Sequence, residues 1–174
     1  MRIYLIGYMG CGKSTLGRRL SKHLGLQFVD MDHYIEERNC KTVPQIFAEE
    51  GEDEFRNKER KALEELSEFT NIVIATGGGA PCFFDNIDLM NNSGKTIYLN
   101  IHPAILADRL LSSKTERPLI KGKSREELVA FIDDTLKKRN EFYSQAKFQI
   151  TQPDIDLEFV ENMISETDEG IHHL

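Results

Sequence analysis

The residues best equipped for chemistry lie near the start of the chain. Gly7-Tyr8-Met9-Gly10-Cys11-Gly12-Lys13-Ser14 fits the pattern G-x-x-x-x-G-K-[ST] in full, with Thr15 following. Its glycines let main-chain N–H groups turn toward a phosphate with no Cβ in the way. A helix opening directly behind them adds positive potential. Lys13 is placed to reach the β- and γ-phosphates of a nucleotide, and Ser14 to ligate Mg²⁺. The bland alternative is a glycine-rich strand-to-helix turn carrying a surface lysine. The apolar run before the motif and the helical pattern after it are the context that phosphate binding requires.

A phosphoryl-transfer site also needs an acid for the metal. No Asp ends the run Ile72-Val73-Ile74-Ala75, so the candidate is Asp30, with Asp32 two residues on. Two carboxylates in one strand-to-helix loop can divide the work. One organises Mg²⁺ while the other orients an acceptor hydroxyl. Read without that context, Asp32 is equally a cap for the helix that follows.

Other residues suit an acceptor. Gly77-Gly78-Gly79 allows a polar ligand close to main-chain N–H groups, although a tight turn is the plainer use of glycine. Arg56 follows Phe55 near a helix start, and Glu59 at i+3 can hold its guanidinium. Arg139 sits on the edge of an apolar stripe of Leu128, Ile132 and Leu136, with Tyr143 beyond it, where an arginine wants an anion or a route to water. Two arginines aimed at one pocket would grip a carboxylate in bidentate fashion. Arg117-Pro118-Leu119 falls in a polar, basic segment over 112–123, where a mobile lid would carry a cation to the transferring phosphate. For Arg117 and Arg109 a solvated basic loop is the competing reading. Cys11, near a helix N-terminus, is read as a passive small side chain. His172 and His173 read as a solvated end, in a tail over 166–174 expected to fray.

Strands alternating with helices must position these groups. The patterns predict strands over 3–6, 27–30, 72–75, 96–100 and 148–150. Helices are expected over 13–24, from about 32 with a break near 42–44 and then on to 50, and over 52–69. Further helices are expected over 85–91, 103–111, 124–143 and 155–165. Thr76 leads the glycine triplet out of the third strand, and Ser124 with Glu127 forms a capping box. This is an α/β chain with a parallel sheet covered on both faces, expected as one domain over 1–174. Composition agrees: among 174 residues, 40% are hydrophobic and 29% charged, as in globular chains. With 22 Lys+Arg against 29 Asp+Glu the net charge is −7, which argues against a broadly basic nucleic-acid binder. No apolar run suggests a membrane span, and no signal-peptide pattern opens the sequence. Three scattered cysteines suggest neither disulfides nor zinc, and a reducing cytoplasm is expected.

Taken together the motifs resemble the shikimate kinase family, in order and spacing, from residue 1 to about residue 154. They are the 7–15 loop, Asp30-Met31-Asp32, Phe55-Arg56 with Glu59, Gly77-Gly78-Gly79-Ala80, Arg117-Pro118-Leu119, and Arg139 with Tyr143. The resemblance implies a three-layer P-loop fold of the nucleoside-monophosphate-kinase type, with a five-stranded parallel sheet and a mobile lid. It implies transfer of the ATP γ-phosphate to the 3-hydroxyl of shikimate, on the way to chorismate and the aromatic amino acids. Carried over by position, Gly10, Cys11, Gly12, Lys13, Ser14 and Thr15 would hold phosphates, joined by Arg117. Ser14 and Asp30 would organise Mg²⁺, and Asp32 would meet the shikimate hydroxyls. Arg56 and Arg139 would hold the carboxylate, and Gly78 and Gly79 would bind ring hydroxyls through main chain. Arg109 would stack on adenine with Pro153 opposite. Catalysis would rest on Lys13, Asp32 and Arg117. A monomer is expected, without nucleic acid or membrane among its partners. The competing readings are another small-metabolite P-loop kinase, such as a gluconate kinase, or a nucleotide-binding regulatory module; the Asn-Lys-x-Asp of a GTPase is missing, since Asn57-Lys58-Glu59-Arg60 lacks the Asp.

Overall fold

Ile3, Tyr4, Leu5 and Ile6 are wholly buried, which puts strand β1 (Arg2–Ile6) in the middle of a sheet. Ile72, Val73, Ile74 and Ala75 are equally dry and form β3 (Ile72–Ala75). These two pair in parallel, Ile3 opposite Val73. Outside them lie β2 (Gln27–Asp30), β4 (Lys95–Leu99) and β5 (Phe148–Ile150). The order is β2-β3-β1-β4-β5, with every pairing parallel. The structure is a computed structural model describing residues 1–113 and 120–169, with the side chains of 167–169 left aside. Residues 114–119 of the expected lid, Arg117 among them, lie outside the described residues, as do His172 and His173.

Alternate residues along each strand face opposite layers. On one face Ile3, Leu5, Val73, Ile97 and Leu99 meet helices α1 (Lys13–Leu24), α5 (Pro103–Ser112), α6 (Arg125–Tyr143) and α7 (Leu157–Glu169). On the other, Tyr4, Ile6, Ile74 and Tyr98 meet α2 (Met31–Asn39), α3 (Val43–Ser67) and α4 (Asn86–Ser93). Helix α6 serves both layers, since Leu128 and Ile132 join the first and Tyr143 the second. The three-layer parallel α/β architecture is therefore as expected.

Local differences have local causes. The two helical stretches expected on either side of residue 51 are one kinked element, because Gly51 alone leaves helical geometry, at φ 85°. The last helix starts later than expected, at Leu157, where Asp156 accepts from the Glu158 N–H at 3.0 Å. It also continues to Glu169, so the tail expected to fray from 166 is helical for its first residues.

Candidate active site

The strand order puts the candidate loops side by side. β3 lies between β1 and β2, so its glycine loop emerges between the loop that follows β1 and the Asp30–Asp32 pair that ends β2. Ligands of open parallel sheets bind in such a crevice, outside the carboxyl ends of the strands. Here the crevice is a cleft of about 390 Å³ reached by Gly10, Lys13, Ser14, Asp30, Asp32 and Gly78.

The loop after β1 is shaped for an anion. Gly12, at φ 101°, caps α1 with no side chain, so no side chain occupies the first-turn N–H groups. A residue with a Cβ would be strained in that conformation. Lys13 Nζ folds back over the loop, donating to Gly7 O at 2.7 Å and Tyr8 O at 3.0 Å. On the outer side Arg109 donates to Gly10 O at 3.4 Å, Cys11 O at 3.2 Å and Pro153 O at 3.3 Å. Arg109, Pro153, Gly12 and Thr15 line a second hollow of about 230 Å³ against the same loop. Cys11 is buried and packs in the core.

Asp30, not Asp32, caps α2. Its Oδ1 accepts from the Asp32 and His33 N–H groups at 3.2 and 3.4 Å. Its Oδ2 accepts from Ser14 Oγ at 2.5 Å, which ties the end of β2 to the start of α1. A hydroxyl and a carboxylate side by side form a hard oxygen donor set that suits Mg²⁺, which takes few protein ligands and completes its shell with phosphate oxygens and water. Among the described residues no group of three or more His, Cys, Asp or Glu could hold a metal. Asp32 is thereby left to the cleft. Burial foremost, and then the neighbouring Asp30 charge, raise its carboxyl above the usual range, while Lys13 and Arg56 oppose the shift.

Both arginines meet the glycine loop. A Cβ on Gly79 would stand 2.9 Å from both terminal nitrogens of Arg56, one on Gly78 would stand 3.4 Å from Arg139 Nη1, and one on Gly77 would stand 3.0 Å from Asp32 Oδ1. Three consecutive glycines are thus the floor on which three polar side chains rest. Arg56 is fixed from several directions. It pairs with Glu59 at 2.6 Å and Glu52 at 3.3 Å, and its Cζ lies 4.0 Å from the Phe83 ring centroid. Glu59 is 1% exposed; burial pushes its carboxyl up to about 7 against the pull of Arg56. Arg139 donates to Tyr143 Oη at 3.3 Å and lies 5.6 Å from the Tyr8 ring centroid.

Sequence reasoning therefore placed Asp32, Arg56, Arg139 and the glycines in one locality and foresaw the Arg56–Glu59 pair. It missed Phe83 and Tyr8, which no spacing rule marks, and the Tyr143 bond to Gly78 O, whose i+4 offset from Arg139 was the available hint.

Comparison with known proteins identifies the family. The family model described as "Shikimate kinase" matches residues 9–167. A shikimate kinase of Phocaeicola vulgatus is 54% identical over 146 residues, covering 84% of this chain and 83% of its own. The crystal structure of shikimate kinase from Bacteroides thetaiotaomicron superposes with a TM-score of 0.88 at 46% identity, covering 97% of this chain and 98% of its own. That of the Acinetobacter baumannii enzyme, in complex with shikimate, does so with a TM-score of 0.83 at 33% identity, over 99% and 95% of the two chains. A match of this extent, on a P-loop fold whose two arginines meet the glycine loop, establishes that the chain belongs to the shikimate kinase family.

Proposed function

We propose that the protein transfers the γ-phosphoryl group of ATP to the 3-hydroxyl of shikimate, with the loop after β1 as donor site and the Asp32–Arg56–Arg139 cluster as acceptor site. The observation that carries this is the meeting of two arginines and a carboxylate on one glycine floor beside a phosphate loop. A cyclic acid bearing several hydroxyls matches that arrangement. Arg56 and Arg139 hold its carboxylate, Gly78 and Gly79 offer main-chain groups to its hydroxyls, and Asp32 faces the hydroxyl that attacks.

The first-turn N–H groups of α1 and Lys13 hold the phosphates and follow charge as the bond between the β- and γ-phosphates breaks. Asp32 accepts a hydrogen bond from the attacking hydroxyl, and its raised proton affinity suits it to take that proton as the new P–O bond forms. Ser14 and Asp30 are the residues that would hold Mg²⁺, which supplies charge neutralisation on the phosphates when bound. Arg109 and Pro153 form the surface for the adenine, and Arg117 brings a cation to the transferring group. Among the described residues no helix is long and apolar enough to cross a membrane.

The test is ADP release measured with shikimate, gluconate, AMP or no acceptor. Release stimulated by shikimate alone is the expected result. Stimulation by gluconate in its place would transfer the acceptor site to a different hydroxy acid. Nucleotide binding without release by any acceptor would favour a regulatory module.

A further inference from the structure

Tyr143 is fully buried at the end of α6, its ring 4.9 Å from that of Tyr98. Its hydroxyl is bonded on two sides, by Arg139 Nη1 at 3.3 Å and by the carbonyl oxygen of Gly78, 65 residues away in sequence. The direction of both bonds follows from chemistry. A guanidinium only donates, so the phenol oxygen accepts from Arg139, and a carbonyl only accepts, so the one phenol proton points to Gly78 O. Burial raises the phenol pKa further, which keeps that proton in place. The result is a directed chain from the Arg139 N–H through the Tyr143 O–H to the Gly78 carbonyl, whose peptide carries the Gly79 N–H on its other side. Hydrogen bonds in such a chain polarise one another, so each end strengthens when the other is engaged.

We propose that Tyr143 is a positioning residue that couples the Arg139 guanidinium to the glycine loop, so that the carboxylate end and the hydroxyl end of the acceptor are gripped as one unit. This rests on the acceptor reading above and adds to it. The two arginines are not equivalent. Arg56 is held by carboxylates of its own helix, whereas Arg139 is tied through Tyr143 to the loop that meets the other end of the ligand.

Calorimetry with wild type and Tyr143→Phe tests the coupling. Phenylalanine keeps the ring and removes only the link, leaving Arg139 and the Gly78 carbonyl without this partner. Shikimate should bind roughly tenfold more weakly to the variant, with KM for shikimate rising by more than kcat falls. A non-hydrolysable ATP analogue should bind within about twofold of wild type, because the donor site shares none of these bonds. A second measurement does not depend on Tyr143→Phe folding. An acceptor analogue whose carboxylate is replaced by a hydroxymethyl group cannot form an ion pair with Arg139, yet coupling predicts that Arg139→Met still weakens its binding several-fold, through the loop. Unchanged binding of that analogue to Arg139→Met would overturn the coupling. So would shikimate and nucleotide weakened alike by Tyr143→Phe, which is the signature of a general packing loss. Wild type that fails to bind shikimate would bring down the acceptor reading and the coupling with it; wild type that binds normally beside an unaffected Tyr143→Phe would bring down the coupling alone.

Discussion

The two halves of the cleft are built in opposite ways. The phosphate loop of the donor half comes from one continuous stretch, in which Gly12 presents bare N–H groups and Lys13 bonds to carbonyls of the same loop. Those interactions are main-chain or local, although Arg109 and Asp30 brace the loop from elsewhere in the chain. The acceptor half is assembled from the α2 start, α3, the loop after β3 and the end of α6, and it holds Arg56 and Glu59 nearly out of water. Charges held so deep need exact partners, because one left unpaired costs several kcal/mol. The contrast teaches that nucleotide binding is a property of a motif here, whereas the choice of acceptor is a property of packing.

Breaking the donor half should have the largest effect. Lys13→Ala removes a cation that follows charge in the transition state, and kcat should fall about a hundredfold or more with the fold retained by circular dichroism. A purified variant keeping more than about a tenth of the wild-type rate would mean that the loop merely binds.

Next come the acceptor arginines. Arg56→Lys and Arg139→Lys keep charge and lose the planar fork, so each should raise KM for shikimate roughly tenfold or more, a charge-assisted bond being worth about 1.5–3 kcal/mol. Affinity for ATP should hardly change. The double variant should lose less than the sum, since both groups act on one carboxylate. Strictly additive losses would separate the two arginines and reopen the choice of acceptor.

A gentler probe is Gly79→Ala. Gly79 sits at φ −86°, which alanine adopts readily, so the substitution adds only a methyl group against the Arg56 guanidinium. Pinned by Glu59, Glu52 and Phe83, that group has to shift, and KM for shikimate should rise roughly three- to tenfold at unchanged ATP affinity. Steady-state kinetics showing no change would mean that Arg56 does not rest on the loop while turning over.

The smallest effect concerns stability. Burial lifts the Glu59 carboxyl to about 7 from an ordinary 4.5. A carboxyl raised on folding contributes stability that is complete below its ordinary value and lost as pH rises through the folded value. Wild-type stability should therefore decline between about pH 5 and pH 8, on the order of 1–3 kcal/mol from this group. Asp32, also raised, contributes with the same sign. Glu59→Gln should flatten most of that slope in urea melts at the two pH values; an identical slope in both proteins would remove Glu59 as its source.

Much of this is legible in the sequence. The apolar runs at residues 3–6 and 72–75 mark strands because a strand buried on both faces must be apolar throughout. The phosphate loop was legible for a related reason: its function is carried by consecutive main-chain groups, and glycine spacing determines those directly. Which of Asp30 and Asp32 caps α2 was not legible. The cap falls to Asp30, whose other carboxylate oxygen accepts from Ser14 on a different helix.

By itself, then, the sequence determined the class of fold, the phosphate loop and the set of residue types an acid-bearing acceptor needs, because these depend on periodicity, on glycine and on side chains a few positions apart. Tertiary structure alone decided that Gly79 meets Arg56 and Gly78 meets both Arg139 and Tyr143. Those meetings follow from β3 being inserted between β1 and β2, and from α6 crossing from one layer of the core to the other. They are contacts between groups far apart along the chain, set by how sheet and helices pack, and no local pattern encodes them.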